Sequence, residues 1–150
     1  MKPQIFILFV SVSLLCMCSM SRDSSVNRYN ANGKPNGKWV YLMNDKTQSY
    51  GRYKDGVPVG RWIIFNPDGS KCVKKRYFQN KIREVWYHKN GRVEAKGWSK
   101  LILDDPLEIN YFWDGKWKFF DKKGKLKKIS IYVKGEENEI IMLKTTQANE

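Results

Sequence analysis

The ten-residue stretch "GRWIIFNPDG", Gly60 to Gly69, returns further along as "GKWKFFDKKG", Gly115 to Gly124. The Gly, the basic residue, the Trp, the Phe and the closing Gly are all in register. A third copy, "IREVWYHKNG" (Ile82 to Gly91), keeps the Arg, the aromatics and the final Gly, and "GKWVYL" (Gly37 to Leu42) starts a fourth. Copies begin at Gly37, Gly60, Ile82 and Gly115, so the steps are 23, 22 and 33 residues, and "WSKLILDDPLEIN" reads as an insertion before the last. A period in the low twenties is one hairpin long. It specifies stacked units, none of which buries its apolar side alone.

Each unit is too short and too rich in Gly for a helix, and Trp, Ile, Val, Tyr and Phe favour strands. The groups "NPDG", "HKNG" and "DKKG" supply turns, with Gly69, Gly91 and Gly124 providing positive φ at low cost. "INYFWDGKWKFF" carries an Asp-Gly hairpin signal flanked by alternating residues. Alternation sends Trp62 and Ile64 to one side, and with them Trp39, Tyr41, Trp86, Trp117 and Phe119. The other side receives Arg61, Ile63 and Phe65, and likewise Lys116, Lys118 and Phe120. No segment past the amino terminus has a 3.6-residue period. The expected fold is therefore all-β: an elongated, twisted, single antiparallel sheet of consecutive hairpins. In it a row of Trp39, Trp62, Trp86 and Trp117 is buried between neighbours, and Gly60 and Gly115 lead the repeats.

This pattern resembles the MORN-repeat variant of bacterial proteins, many of them labelled YwqK-family antitoxins. Those repeats read roughly Gly-x-Trp-x-x-Tyr-x-x-x-Gly, followed by Tyr-x-x-Gly. The match runs from about Asn36 to Gly135, with Tyr53, Tyr77 and Tyr132 opening the trailing element. It departs at Ile82, which replaces a leading Gly, and at Glu84, which replaces a Trp. The resemblance implies single-layer hairpin stacks used for binding, with no single ligand. The alternative function, carried by the family's label, is an antitoxin-like protein that neutralises a toxin by protein–protein contact.

The amino terminus reads as an export signal. One Lys, an apolar run from Ile5 to Leu15, small residues and no further charge until Arg22 have the layout of a secretory signal peptide. The run is well short of the ~20 residues a spanning helix needs. Cys18 is a lipidation candidate, since Leu15 lies three residues before it, although Met17 stands where a lipoprotein signal places a small residue. Ordinary cleavage after Cys18 or Ser21 is the other outcome. Residues 1–20 are thus assigned to the signal, 21–34 to a polar tether, 35–144 to the repeat domain and 145–150 to a tail. The expected address is the periplasm, outer membrane or cell surface of a bacterium.

Chemistry for catalysis is thin. His88 is the sole His and falls in a turn, where a polar turn residue is the plain reading. Past the signal, Cys72 is the sole Cys, so neither a disulfide nor metal-ligand spacing arises. Asp104 and Asp105 are adjacent and point apart on an extended chain, and Glu136, Glu137 and Glu139 read as a solvated loop. The sequence therefore predicts no enzyme, no cofactor and no metal. A net charge of +13 points instead to an anionic partner. Arg61, Arg83, Lys116 and Lys38 recur at one repeat position beside Phe65, Tyr87 and Phe120, forming the candidate binding row. Export argues against nucleic acid, leaving an envelope component or a protein as the expected partner of a monomeric binding module. The plain reading of the same row is solvation of the sheet.

Overall fold

A computed structural model describes residues 25–105 and 108–142, and in it the chain is one open sheet of ten strands in sequential order. They are β1 (Arg28–Tyr29), β2 (Pro35–Met43), β3 (Lys46–Lys54), β4 (Val57–Phe65), β5 (Lys71–Tyr77), β6 (Lys81–Tyr87), β7 (Val93–Asp105), β8 (Glu108–Phe120), β9 (Leu126–Val133) and β10 (Glu136–Met142). Every neighbouring pair is antiparallel, and no helix occurs among the described residues. The predicted hairpin meander is the observed architecture. The segment 1–20 that the sequence analysis reads as an export signal, with Cys18, and the tail 145–150 lie outside the described residues.

Two kinds of turn close seven of the nine hairpins. Asn30–Lys34, Asn66–Ser70, His88–Arg92 and Asp121–Lys125 share one geometry. The first residue donates its N–H to the carbonyl of the last, and the Gly at the fourth place donates back to the first, at 2.8–3.0 Å. That Gly is left-handed each time, with φ of 68° at Gly33, 83° at Gly69, 81° at Gly91 and 87° at Gly124. Asn30 and Asp121 also accept two backbone N–H groups within their own turns. Tight two-residue turns at Asn44-Asp45, Asp55-Gly56 and Lys134-Gly135 have positive φ at both centres, matching the twist of the flanking strands. The first of the five-residue turns corrects the sequence reading of 21–34 as a tether, because Arg28–Lys34 already belong to a hairpin. The insertion makes no separate element either. It lengthens β7 and β8 to 13 residues each.

A single sheet has no second layer to bury its apolar side, and the repeat solves this within the sheet. At β3–β4 the pairing passes from Tyr50↔Ile63 to Arg52↔Val59, so Gly51 alone faces Gly60-Arg61-Trp62. The same jump occurs at β7–β8, where Gly97 faces Gly115-Lys116-Trp117. Left-handed backbone at Gly60 (φ 64°) and Gly115 (φ 70°) makes the bulge. Each Trp then lies flat over the opposing Gly: a Cβ on Gly51 would fall 2.1 Å from the Trp62 ring, and one on Gly97 2.3 Å from that of Trp117. The Trp62 indole N–H donates to the Arg52 carbonyl (3.1 Å) and that of Trp117 to the Trp98 carbonyl (2.8 Å). Trp39, Trp62 and Trp117 are buried, flanked edge-on by Tyr53 and Tyr132.

The third copy departs, and the structure shows the consequence. With Ile82 for the leading Gly there is no bulge, and β5–β6 pairs without interruption from Val73↔Trp86 to Tyr77↔Ile82. Glu84 takes the place of the Trp and is fully buried, accepting from Ser99 Oγ at 2.5 Å and from the Trp86 indole at 3.0 Å. Beside it Lys75, also buried, donates to the Tyr111 hydroxyl at 2.6 Å. Trp86 shares the tryptophan face but is aligned with Ile64 rather than Trp62, and it is only half-buried. The expected four-membered buried row is therefore corrected to three, with a buried polar cluster at its centre.

Burial on this face also fixes a pH limit. Tyr77 is held well above its ordinary value near 10, chiefly by burial and then by Tyr111 and Glu84. Burial and the hydroxyl of Tyr41 raise Tyr53 in the same way. Both phenols stay neutral in the fold while the unfolded chain ionises them near pH 10. Their contribution is therefore complete below that pH and is lost as pH rises toward the folded values. The urea midpoint should fall between about pH 9 and about pH 11. A flat midpoint, with all tyrosines titrating together in the ultraviolet, would contradict this.

Candidate functional site

The face opposite the tryptophans carries the charge. Cα partners in adjacent strands share a face, and the chain of partners Arg61↔Arg76↔Arg83↔Trp98↔Asp114 crosses β4 to β8 in one line. Neighbouring strands are ~4.8 Å apart, so three guanidinium side chains are mounted side by side. Like charges directly opposite each other destabilise a sheet. All three arginines are exposed. Among the described residues the close contacts of carboxylates with basic groups lie elsewhere: Lys128 meets Glu137 at 2.9 Å, and the His88 ring is 3.8 Å from Glu94. Repulsion of this kind, left uncompensated by the fold, marks a place where an external anion would lower the energy.

Aromatic rings are set among these cations. Arg76 stands 5.6 Å from the centroid of Phe78, while Arg83 and Lys81 lie 5.7 Å and 4.9 Å from that of Trp98. Towards the turns, Lys71 covers Tyr87 at 5.2 Å and Lys96 covers Phe120 at 5.1 Å. Such contacts hold long side chains in place at modest cost in solvation. Two shallow depressions result. One of about 270 Å³ is lined by Arg61, Lys74, Arg76, Phe78, Arg83 and Trp98. The other, about 420 Å³, is lined by Arg83, Lys96, Trp98, Asp114, Lys116 and Lys118.

The sequence row is thus brought together in part. Arg61 and Arg83 are joined through Arg76, which the motif does not contain but which alternation along "KCVKKRY" places in phase. Lys116 is on the same face at the second depression, opposite Ile131 rather than in the arginine line. Lys38 is opposite Arg52, towards the other end of the sheet. Phe65, Tyr87 and Phe120 occupy this face near the five-residue turns, after bulges that shift each by a residue. Phe65 packs against Tyr50, 5.9 Å away. Trp98 and Phe78 are not singled out by the repeat: Phe78 is a variable position of the trailing element, and Trp98 opens the insertion.

Elsewhere, catalytic arrangements are sparse. Cys72 lies on β5 with its thiol pushed up by burial and the nearby Glu94, which disfavours the reactive thiolate. The His88 ring contacts the Phe120 carbonyl (3.0 Å) and so ties two turns together. Among the described residues no group of three His, Cys, Asp or Glu side chains is placed to hold a metal ion. Compared with protein-family models, with curated proteins and with solved structures, the chain matches none of them.

Proposed function

We propose that this is an exported, non-enzymatic repeat protein of the bacterial cell envelope, a module that binds an extended polyanion along its basic face. One observation carries the reading: the line Arg61–Arg76–Arg83, exposed and set strand against strand with no acidic side chain paired to it. The likeness of the repeats to MORN-type hairpins favours binding over catalysis. A flat sheet that repeats its cations strand by strand suits an extended chain of charges better than a small molecule. The export reading rests on residues 1–20 and on Cys18 as the lipid-acceptor candidate.

Binding is tested by titrating a labelled acidic polysaccharide and a polyphosphate into the protein over a salt series. The expected result is saturable binding whose affinity drops steeply as salt shortens the screening length from ~10 Å at 0.1 M towards ~3 Å at 1 M. Absence of binding at low salt overturns the reading. Export is tested by the intact mass of protein from the envelope fraction, which should show cleavage between Cys16 and Ser21, with an added diacylglycerol and fatty acid if Cys18 is used. A retained Met1 removes the envelope from the proposal.

A further inference from the structure

On the tryptophan face, away from the basic line, β5 to β8 and the turns beside them enclose a further groove of about 800 Å³. Its floor is Trp86, Ala95, Trp113 and Phe119, and its wall is the turn bearing His88 together with Glu94 and Lys122. We infer that this groove binds neutral sugar rings.

The floor is rigid. Trp113 stacks on the buried Trp117 with centroids 3.8 Å apart and planes 17° apart, and Tyr132 meets it edge-on at 5.1 Å. The Trp86 indole is fixed by Glu84, and its ring stands at 67° to that of Trp113 with centroids 6.5 Å apart. Two indoles set at a steep angle make a corner with apolar surface on both sides, and both remain half-buried rather than closed off.

The wall is rigid as well. His88 contacts the Phe120 carbonyl, Asn90 donates to the Lys122 carbonyl (2.8 Å), and Arg92 donates to the Lys123 carbonyl. The groove therefore exists before any ligand arrives, which lowers the ordering cost of binding.

Hydrogen-bonding character selects the ligand class. A carbonyl can only accept, so His88 Nε2 donates to that of Phe120, and Nδ1 lies 3.8 Å from Glu94 Oε2. The carboxylate of Glu94 also accepts only, and its side chain is 53 % exposed. Glu94 accepts while Lys89 and Lys122 donate, so the wall suits hydroxyl groups, which do both, while the indole corner calls for an apolar face. Pyranose rings have both. A purely aliphatic ligand would strip water from Glu94 and His88 without replacing its hydrogen bonds. The lining carries both signs of charge, Glu94 beside Lys89 and Lys122, and hydroxyl groups meet either one without a net charge of their own. The volume falls in the range of small-ligand sites, ~300–1,000 Å³.

The test uses the full processed chain in high salt, where polyanion binding is screened, titrated with cellohexaose, chitohexaose and maltohexaose and followed by tryptophan fluorescence and calorimetry. At least one should bind saturably and shift the tryptophan emission, with affinity independent of salt. Trp86→Ala and Glu94→Ala should each weaken it roughly tenfold or more, as for a buried anchor and its polar partner. Trp98→Ala, on the opposite face, should leave it unchanged. Glu94 is exposed, so its variant folds even if the Trp86 one does not, and unchanged sugar binding in Glu94→Ala overturns the inference. So does the absence of saturation by all three hexaoses, or binding of the neutral apolar dye N-phenyl-1-naphthylamine that none of them displaces.

Discussion

Trp117→Ala is expected to lower the free energy of unfolding by about 3–5 kcal/mol, the range for truncating a large enclosed aromatic. Trp117 is fully inaccessible to solvent although the sheet has only one layer. Its ring rests on Gly97, its indole N–H satisfies the Trp98 carbonyl, and Trp113 stacks on its other face. Truncation would remove all three at once, leaving a cavity and an unpaired carbonyl. The converse change, Gly97→Ala, places a methyl group inside the ring's volume and should cost about 1–3 kcal/mol by overpacking. The double variant discriminates: the methyl group added at Gly97 fits the space that the indole vacates, so the two losses should sum to more than the double variant shows. Trp62 over Gly51 should behave alike, whereas Trp86, half-buried and over no Gly, should lose less. A denaturant titration in which Trp117→Ala costs under about 1 kcal/mol, with unchanged slope, would show that the Trp-on-Gly contact does not hold the sheet together.

That contact explains both what the sequence discloses and what it hides. Turn glycines, alternation and the period of 22–23 residues are local signals, so the strand order and the two faces can be read directly. Gly51 and Gly97 sit in "YGRY" and "KGWS", outside the repeat as aligned on its Trp, because the residue that needs the space comes from a different strand. A pairing between elements leaves no periodic trace in either one. The fate of Glu84 is hidden for a related reason. Its substitution for Trp is visible, but the partners that make its burial tolerable, Ser99 and Trp86, are supplied by two strands, and Lys75 and Tyr111 close over the cluster from two more. Charge on the basic face is legible as alternation. The arginine line is not, because Arg76 belongs to the return strand and joins Arg61 to Arg83 only once the register is set.

Arg76→Glu should weaken binding of an acidic polymer while making the protein more stable, and the opposite signs are what separate a site from a solvated surface. Arg76 is the direct partner of Arg61 on one side and Arg83 on the other. Reversing it replaces two like-charge pairs with two opposite-charge pairs, each contributing roughly 0.2–1 kcal/mol across a sheet. The thermal midpoint should rise by a few degrees. For a bound polyanion the same change removes one attraction, adds one repulsion and engages both neighbouring guanidinium groups internally. A basic group beside an anionic surface is worth about 1 kcal/mol at moderate salt. Neutralising the line in this way should therefore cost about 2–4 kcal/mol, or roughly thirty- to a thousandfold in affinity. Lys38→Glu, two strands away, should weaken binding far less. A surface that uses its arginines only to stay in solution has no reason to keep three of them in register, and relief of their repulsion would then bring no loss. If Arg76→Glu is more stable and still binds the polymer as tightly as the parent at low salt, the line is solvation and the partner must be sought on the tryptophan face.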